Sequence, residues 1–379
     1  MRIFENLNYD FLGKRKFFYG VSGTLFLLGL LFIILRGLQF GIDFKGGSEI
    51  VLEFQNTISI GEVRNEIDTL GLGNVEIKTF GGEKGILIRT ELQQIPAEIY
   101  PKIVNNIENT INQQYADVPR QVIDSSTSSI TYSFPNPDTT EAVIDLLNEK
   151  GFQAVKVSEE PDNTELSVGV GIADWIKINL REDFKDNPFT VLKEERVGPK
   201  IGAELKEDAI IAVVIALIAI LIYLGFRFKF IFAAGAVAAL FHDVFITLGM
   251  FAILYNVIPG LNLEIDLTIV AAFLTLVGYS INDTVIVFDR VRENLKIHKT
   301  RPIEEVINQS ISQTMSRTII TGLTTLFVIS VLLIFGGEVL RAFAFALFFG
   351  MIIGTYSSIF VASALVLEYA NRSKKKVQF

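Results

Sequence analysis

Two carboxylates stand in stretches that are otherwise apolar. Asp283 lies in Gly278-Tyr-Ser-Ile-Asn-Asp-Thr-Val-Ile-Val-Phe288, beside Asn282, and Asp243 lies in Leu240-Phe-His-Asp-Val244. A carboxylate in the middle of a lipid-spanning helix costs about 2.5–3.5 kcal/mol on insertion scales, so each needs a partner, a proton or a wet cavity. Tyr279, Ser280 and Asp283 share one helix face by their i, i+3 and i+4 spacing. A carboxylate placed this way can carry protons; it can equally be one half of a buried pair that orients helices. Imidazole as a side-chain type titrates near neutrality, so a His–Asp pair such as His242 and Asp243 could relay protons. The same two residues could also make a static interhelical hydrogen bond. Adjacent helical residues point about 100° apart, which predicts different partners for the two.

Arg317, in Ser316-Arg-Thr-Ile-Ile-Thr-Gly-Leu-Thr-Thr325, sits at the edge of another apolar run. It either snorkels to the membrane surface or acts as a counter-charge for Asp283, because guanidinium stays protonated at any accessible pH. Thr321, Thr324 and Thr325 could add hydroxyls along a wet path. Gly350, Gly354 and Ser358, four apart, form a small-residue stripe suited to helix packing. Hydrolytic and nucleotide chemistry lack their signatures: the two histidines, His242 and His298, make no His-x-x-x-His pair, and there is no Walker A pattern. Gly46-Gly47 and Gly81-Gly82 read as turns rather than phosphate cradles. Cysteine is absent, which removes disulfides and thiol chemistry.

The elements that hold these residues are membrane spans. Half of the 379 residues are hydrophobic and mean hydropathy is +0.42, which excludes a wholly soluble enzyme. Six runs reach the roughly 17–25 apolar residues that a spanning helix needs: 17–35, 209–226, 230–255, 267–288, 318–335 and 342–367. The first is too long for a signal-peptide core and reads as a retained anchor. Basic residues crowd one side: Arg2 and Lys14–Lys16 before the first span, Arg227 and Lys229 between the second and third, six between the fourth and fifth, and Arg372 with Lys374–Lys376 after the sixth. By the positive-inside rule both termini are cytoplasmic, and the 36–208 loop is exported. The basic tail doubles as an attraction for anionic membrane lipid. Net charge is −8, yet the loop alone carries 17 basic and 30 acidic residues.

Inside the loop a repeat recurs at an offset of 80 residues. Ile50–Phe54 matches Ile130–Phe134, Val63 and Ile67 match Val143 and Leu147, Gly71 matches Gly151, and Ile86 and Ile88 match Leu166 and Val168. Each copy reads strand, helix, two strands, helix, as in ferredoxin-like halves. The expected division is 1–40 for the N-terminus and first span, 41–120 and 121–206 for two exported α+β repeats, and 207–379 for the remaining spans and cytoplasmic end.

Several motifs together resemble the SecF family, the smaller partner of the SecD–SecF complex of protein export. They are Gly41-Ile-Asp-Phe-Lys-Gly-Gly47, Val197-Gly-Pro-Lys-Ile-Gly-Ala-Glu-Leu205, Phe241-His-Asp-Val244, Gly278–Val285, Phe288-Asp-Arg-Val-Arg-Glu-Asn294 and Ser316-Arg-Thr318. The resemblance implies an RND-type six-helix bundle bearing an exported α+β domain, and a non-enzymatic, proton-driven role in moving preproteins, with no cofactor or metal. It places the family's intramembrane acid on Asp283 and its arginine on Arg317, with His242, Asp243, Tyr279, Asn282 and Thr321 shaping the path. SecD would be the obligate partner, with YajC, YidC, the SecYEG channel and the translocating preprotein as neighbours, in the bacterial cytoplasmic membrane, and no nucleic acid. The family's exported domain is usually one ferredoxin-like unit, whereas this loop holds two, and the segment 124–184 has no obvious family counterpart. Half of a small-molecule or lipid exporter of the same superfamily is the alternative, and a passive scaffold a third.

Overall fold

A computed structural model describes residues 9–373 apart from 74, 93–94, 127–128, 159, 161 and 259–260. Arg2 and Lys374–Lys376, part of the basic pattern above, lie outside the described residues. The chain forms two compact units: Ile42–Ala203, and the segment up to Gly41 together with that from Glu204 onward.

Helix α1 (Arg15–Arg36) leads to a short helix α2 (Ile42–Lys45) and strand β1 (Gly47–Phe54). Gly47 adopts φ +122°, and a Cβ there would sit 2.3 Å from the Thr90 carbonyl oxygen, so only glycine fits this entry to the sheet. Helix α3 (Ile60–Thr69), β2 (Val75–Thr79), β3 (Gly85–Thr90) and α4 (Tyr100–Tyr115) complete one repeat. Strand β4 (Gln121–Ser125) follows its α4, and the second repeat, β5 (Ser129–Ser133), α5 (Pro137–Glu149), β6 (Ala154–Lys156), β7 (Glu165–Gly169) and α6 (Ile172–Asp183), is followed in the same way by β8 (Phe189–Val197). Ser59 and Asn136 cap α3 and α5, each accepting from a backbone N–H of the first turn.

Two antiparallel sheets result, ordered β2-β3-β1-β8 and β4-β5-β7-β6. Each has the ferredoxin-like order, but its fourth strand comes from the other repeat. The helices exchange too: α6 packs on α3 and β1, while α4 packs on α5. The exchanged helices are related by a second offset, of 69 residues, by which Ile103, Ile107 and Ile111 of α4 correspond to Ile172, Ile176 and Leu180 of α6. The inner faces of both sheets and the helices between them form one continuous apolar cluster. On the outer face of the first sheet, charges alternate strand by strand: Glu76 pairs with Arg89 at 3.3 Å, Arg89 pairs with Glu49, and Glu49 pairs with Lys193 at 3.3 Å. Burial works against the Lys193 charge, but Glu195 and Glu49 outweigh it and hold the ammonium above its usual pKa.

A buried pair fastens α6 to β8. Lys177 Nζ lies 2.9 Å from Asp174 Oδ1 and donates to Glu194 Oε2 at 2.7 Å, with Lys177 and Asp174 almost wholly enclosed. Burial pushes the Asp174 carboxyl up, and Lys177 opposes the shift. Because folding raises its proton affinity, this residue favours the folded state most in acid, and the contribution declines as pH rises through the raised value. Lys177→Met, which leaves the carboxylate unpaired, is therefore expected to lose about 3–5 kcal/mol near neutrality and less at pH 5. Thermal unfolding of purified wild type and variant at both pH values measures the difference.

In the second unit α7 (Pro199–Arg227), α8 (Phe230–Leu254), α9 (Leu267–Ile297) and α10 (Ile303–Phe335) follow, and the last long helix is α11 (Gly337–Ser357) continued through a π-helical turn at Ser358–Ala362 into α12 (Ser363–Ser373). Among the described residues these and α1 give six helices long and apolar enough to cross a membrane. α8, α9 and α11 form the inner layer, while α1, α7 and α10 are mostly exposed. Gly29 of α1 meets Gly249 of α8 so closely that a Cβ on Gly249 would lie 2.6 Å from the Gly29 Cα. Helices α9 and α10 outrun the predicted apolar runs 267–288 and 318–335. Their extensions are amphipathic and hydropathy passes over them. The buried Asn294 joins them, donating to Ser310 Oγ at 2.8 Å and Gln313 Oε1 at 3.0 Å.

Candidate functional site

The two intramembrane acids have opposite surroundings, although each is 1% exposed. Asp243, midway along α8, is saturated with donors. Its Oδ2 accepts from Ser280 Oγ of α9 at 2.6 Å and from Ser357 Oγ of α11 at 2.7 Å, and its Oδ1 lies 2.9 Å from His242 Nδ1. One carboxylate thus ties together all three inner helices. The site needs small neighbours: a Cβ on Gly354 would stand 3.0 Å from the Ser280 Cβ and 3.6 Å from Asp243 Oδ2. The π-helical turn begins directly after Ser357. The Ser358 carbonyl within it accepts from Ser363 Oγ at 2.9 Å.

Asp283, one turn further along α9 than Ser280, is poorly partnered. Its Oδ2 accepts a long bond of 3.3 Å from Thr355 Oγ1 of α11, and its Oδ1 is buried with no hydrogen-bond partner among the described residues. Two more buried oxygens on the α9–α10 side share that condition, Tyr279 Oη and Thr318 Oγ1. Tyr279 points at Gly322 of α10, where a Cβ would come within 4.0 Å of the hydroxyl. His242 Nε2 is likewise buried and unpartnered. Buried polar atoms of native proteins are nearly always hydrogen-bonded, so the three such atoms on the α9–α10 side, on Asp283, Tyr279 and Thr318, mark a place suited to water or to a transferable proton.

The sequence-predicted residues separate accordingly. Asp283 and Tyr279 face the bundle interior near α10, and His242 and Asp243 are in direct contact, so the prediction of separate partners holds only for the second oxygen of Asp243. Arg317 is exposed on α10 and makes no ion pair with Asp283. Asn282 is exposed on α9. Thr321 Oγ1 donates to its own helix, to Arg317 O at 2.8 Å. Gly350 and Gly354 turn toward Leu276 and Ser280 of α9, and Ser358 is fully buried. Sequence reasoning passed over Ser357 and Thr355, the α11 donors to the two acids. Their signal is spacing: both lie between Gly354 and Ser358 of the stripe already read as packing. It also missed Tyr356, whose hydroxyl meets Ser22 Oγ at 2.9 Å and donates to Phe18 O at 2.8 Å, linking α11 to α1.

Six spanning helices, an α+β unit inserted after the first, and a buried acid on the fourth define a membrane protein of the SecD/SecF class. A family profile described as "Protein export membrane protein SecD/SecF, C-terminal" matches residues 177–372, and one described as "SecD/SecF GG Motif" matches 31–58, around Gly46-Gly47. The chain belongs to the SecF family. It is 40% identical to the protein translocase subunit SecF of Rhodothermus marinus over 98% of this chain and 97% of that one, and 35% identical to that of Magnetococcus marinus over 100% and 97%. The crystal structure of SecDF, a translocon-associated membrane protein from Thermus thermophilus, aligns with a TM-score of 0.65 and 28% identity over 98% of this chain. The chain spans 40% of the length of that structure. The spans matched in the curated relatives take in residues 124–184, so the second repeat, expected to lack a family counterpart, falls within a shared length.

Proposed function

We propose that the chain is a proton-motive-force-coupled accessory subunit of Sec translocation, in which Asp283 gains and loses the proton. The observation that carries this reading is the buried, half-partnered Asp283 carboxylate, set against an Asp243 whose hydrogen-bonding capacity is filled. Asp243, with His242, then serves as the fixed hub about which α8, α9 and α11 keep their register, while Tyr279, Thr318 and Thr321 border the path. Arg317 is the counter-charge of a second arrangement, reached when α9 and α10 shift, and Asn282 belongs to the surface that SecD covers. A membrane potential of about 150 mV makes one inward charge worth about 3.5 kcal/mol, enough to bias two arrangements several-hundred-fold. Repeated small strokes fit that energy better than unfolding a stable substrate in one step.

In this reading the termini are cytoplasmic, the 36–208 loop is exported from the bacterial cytoplasmic membrane, and SecD supplies the other half of the bundle. YajC, YidC and SecYEG are further neighbours, and the preprotein is the substrate moved. The exporter alternative is not favoured, because relatives matched along nearly their whole length are named translocase subunits. The test is preprotein export into membrane vesicles with Asp283→Asn in place of the wild type. Undiminished gradient-dependent stimulation in that variant removes the proton role.

A further inference from the structure

Four strand edges border the two sheets of the 42–203 unit, and they are not treated alike. The β6 edge is closed at Ala154 by the Asn148 side chain, which accepts from the Ala154 N–H at 2.9 Å and donates to its carbonyl at 3.1 Å. The β2 edge is approached by Arg64, which donates to Ile77 O at 3.5 Å. The two exchanged strands, β4 and β8, have no such closure at their apolar pairs among the described residues.

Those pairs are equivalent. The β4 ladder skips a residue between Val122, opposite Tyr132, and Asp124, opposite Thr131. The β8 ladder skips one between Val191, opposite Leu52, and Lys193, opposite Val51. With Leu52 and Val51 the counterparts of Tyr132 and Thr131, the bulge falls at the same place in both sheets, and Val122-Ile123 corresponds to Val191-Leu192. All four side chains are exposed, at 54%, 51%, 36% and 50%. Natural edges are usually guarded by charges, side-chain caps or bulges. A bulge guards against long flat pairing, but it leaves the flanking main-chain groups free for a short strand. Here it presents a β-branched or leucine pair beside them, twice in one domain.

We infer that the β4 and β8 edges are two equivalent docking sites for an extended, non-acidic polypeptide segment, bound by strand addition. The unpaired main-chain groups accept only an extended chain, whatever its sequence. The exposed pairs favour apolar side chains, and 30 acidic against 17 basic residues in the 36–208 loop favour a neutral or basic strand. The inference rests on the translocation reading, for which the occupant is a chain not yet folded, and it deepens that reading by naming where the chain is held.

The experiment uses the full-length protein in detergent, with no proton gradient, and a short fluorescein-labelled peptide of alternating valine and threonine flanked by lysines. Two peptides are expected to bind per chain. Ile123→Glu or Leu192→Glu alone should reduce this to one, and the double variant should weaken binding at least about tenfold, since each charge is placed where an apolar strand must dock. Val155→Glu, beside the closed β6 edge, should leave binding unchanged. A peptide N-methylated at alternate residues should not bind. Unaltered stoichiometry in the single variants overturns the inference, as does equal binding of the methylated peptide, which would mean an apolar patch without strand pairing. Dissociation of a dimer in the double variant also overturns it, by showing that a second copy occupies the edge. None of these readings depends on Asp283, so loss of proton coupling and loss of docking are told apart.

Discussion

Asp283→Asn is expected to abolish gradient-dependent stimulation of export while leaving the protein in the membrane and associated with its partner. The amide is isosteric with the carboxylate and can still accept the Thr355 hydroxyl, the only side-chain hydrogen bond of Asp283 among the described residues. Folding therefore loses little, less than about 1 kcal/mol, the scale of one net hydrogen bond. What disappears is the change of charge. If that change is worth about 3.5 kcal/mol at 150 mV, the bias between two arrangements falls from several-hundred-fold to none. Export measured with and without an uncoupler separates the two contributions: the wild type should slow when the gradient collapses and the variant should already run at the uncoupled rate. Asp283→Glu keeps the titratable group and should retain part of the stimulation.

Asp243→Ala should do the opposite, damaging the bundle before any question of coupling arises. Three donors, on α8, α9 and α11, converge on this carboxylate. Removing it leaves Ser280 and Ser357 hydroxyls and an imidazole nitrogen enclosed without that acceptor. Each stranded buried group costs about 1–3 kcal/mol, and a space opens against Gly354. Together the loss is expected to reach about 3–5 kcal/mol, the range seen when one member of a buried charged cluster is deleted. Thermal denaturation in detergent should show a large drop for Asp243→Ala and a small one for Asp283→Asn. Equal drops would mean that both acids serve packing alone.

Much of this was legible in the sequence because lipid imposes simple rules. A run of apolar residues as long as 230–255 has few outcomes other than a span, and a carboxylate within it is conspicuous whatever the partners. The first halves of the two repeats were legible for a similar reason: Ile50–Phe54 and Ile130–Phe134 keep the same inward pattern. The exchange of α4 and α6 was not. The separation from Ile88 to Ile103 is 11 residues longer than that from Val168 to Ile172, which changes the offset from 80 to 69 and hides the equivalence of Ile107 with Ile176. Nor could spacing tell Asp243 from Asp283. The difference between a saturated acid and a half-partnered one is made by Ser357 and Thr355, whose register depends on where α11 meets α9. Arg317 shows the same limit: its distance along the chain places it near α9, and only the rotation of α10 decides that it points outward.

The pairing of Gly47 with Val197 has a mechanical consequence. The two points at which the 42–203 unit is strung into the rest of the chain are neighbours on adjacent antiparallel strands. Tension between these attachment points would therefore open β1 from β8 one rung at a time, like a zipper, instead of shearing all the rungs at once. The β4-β5-β7-β6 sheet lies off that load path. It could stay intact while the first sheet yields and recloses, so one half of the tandem is free to give while the other keeps its grip.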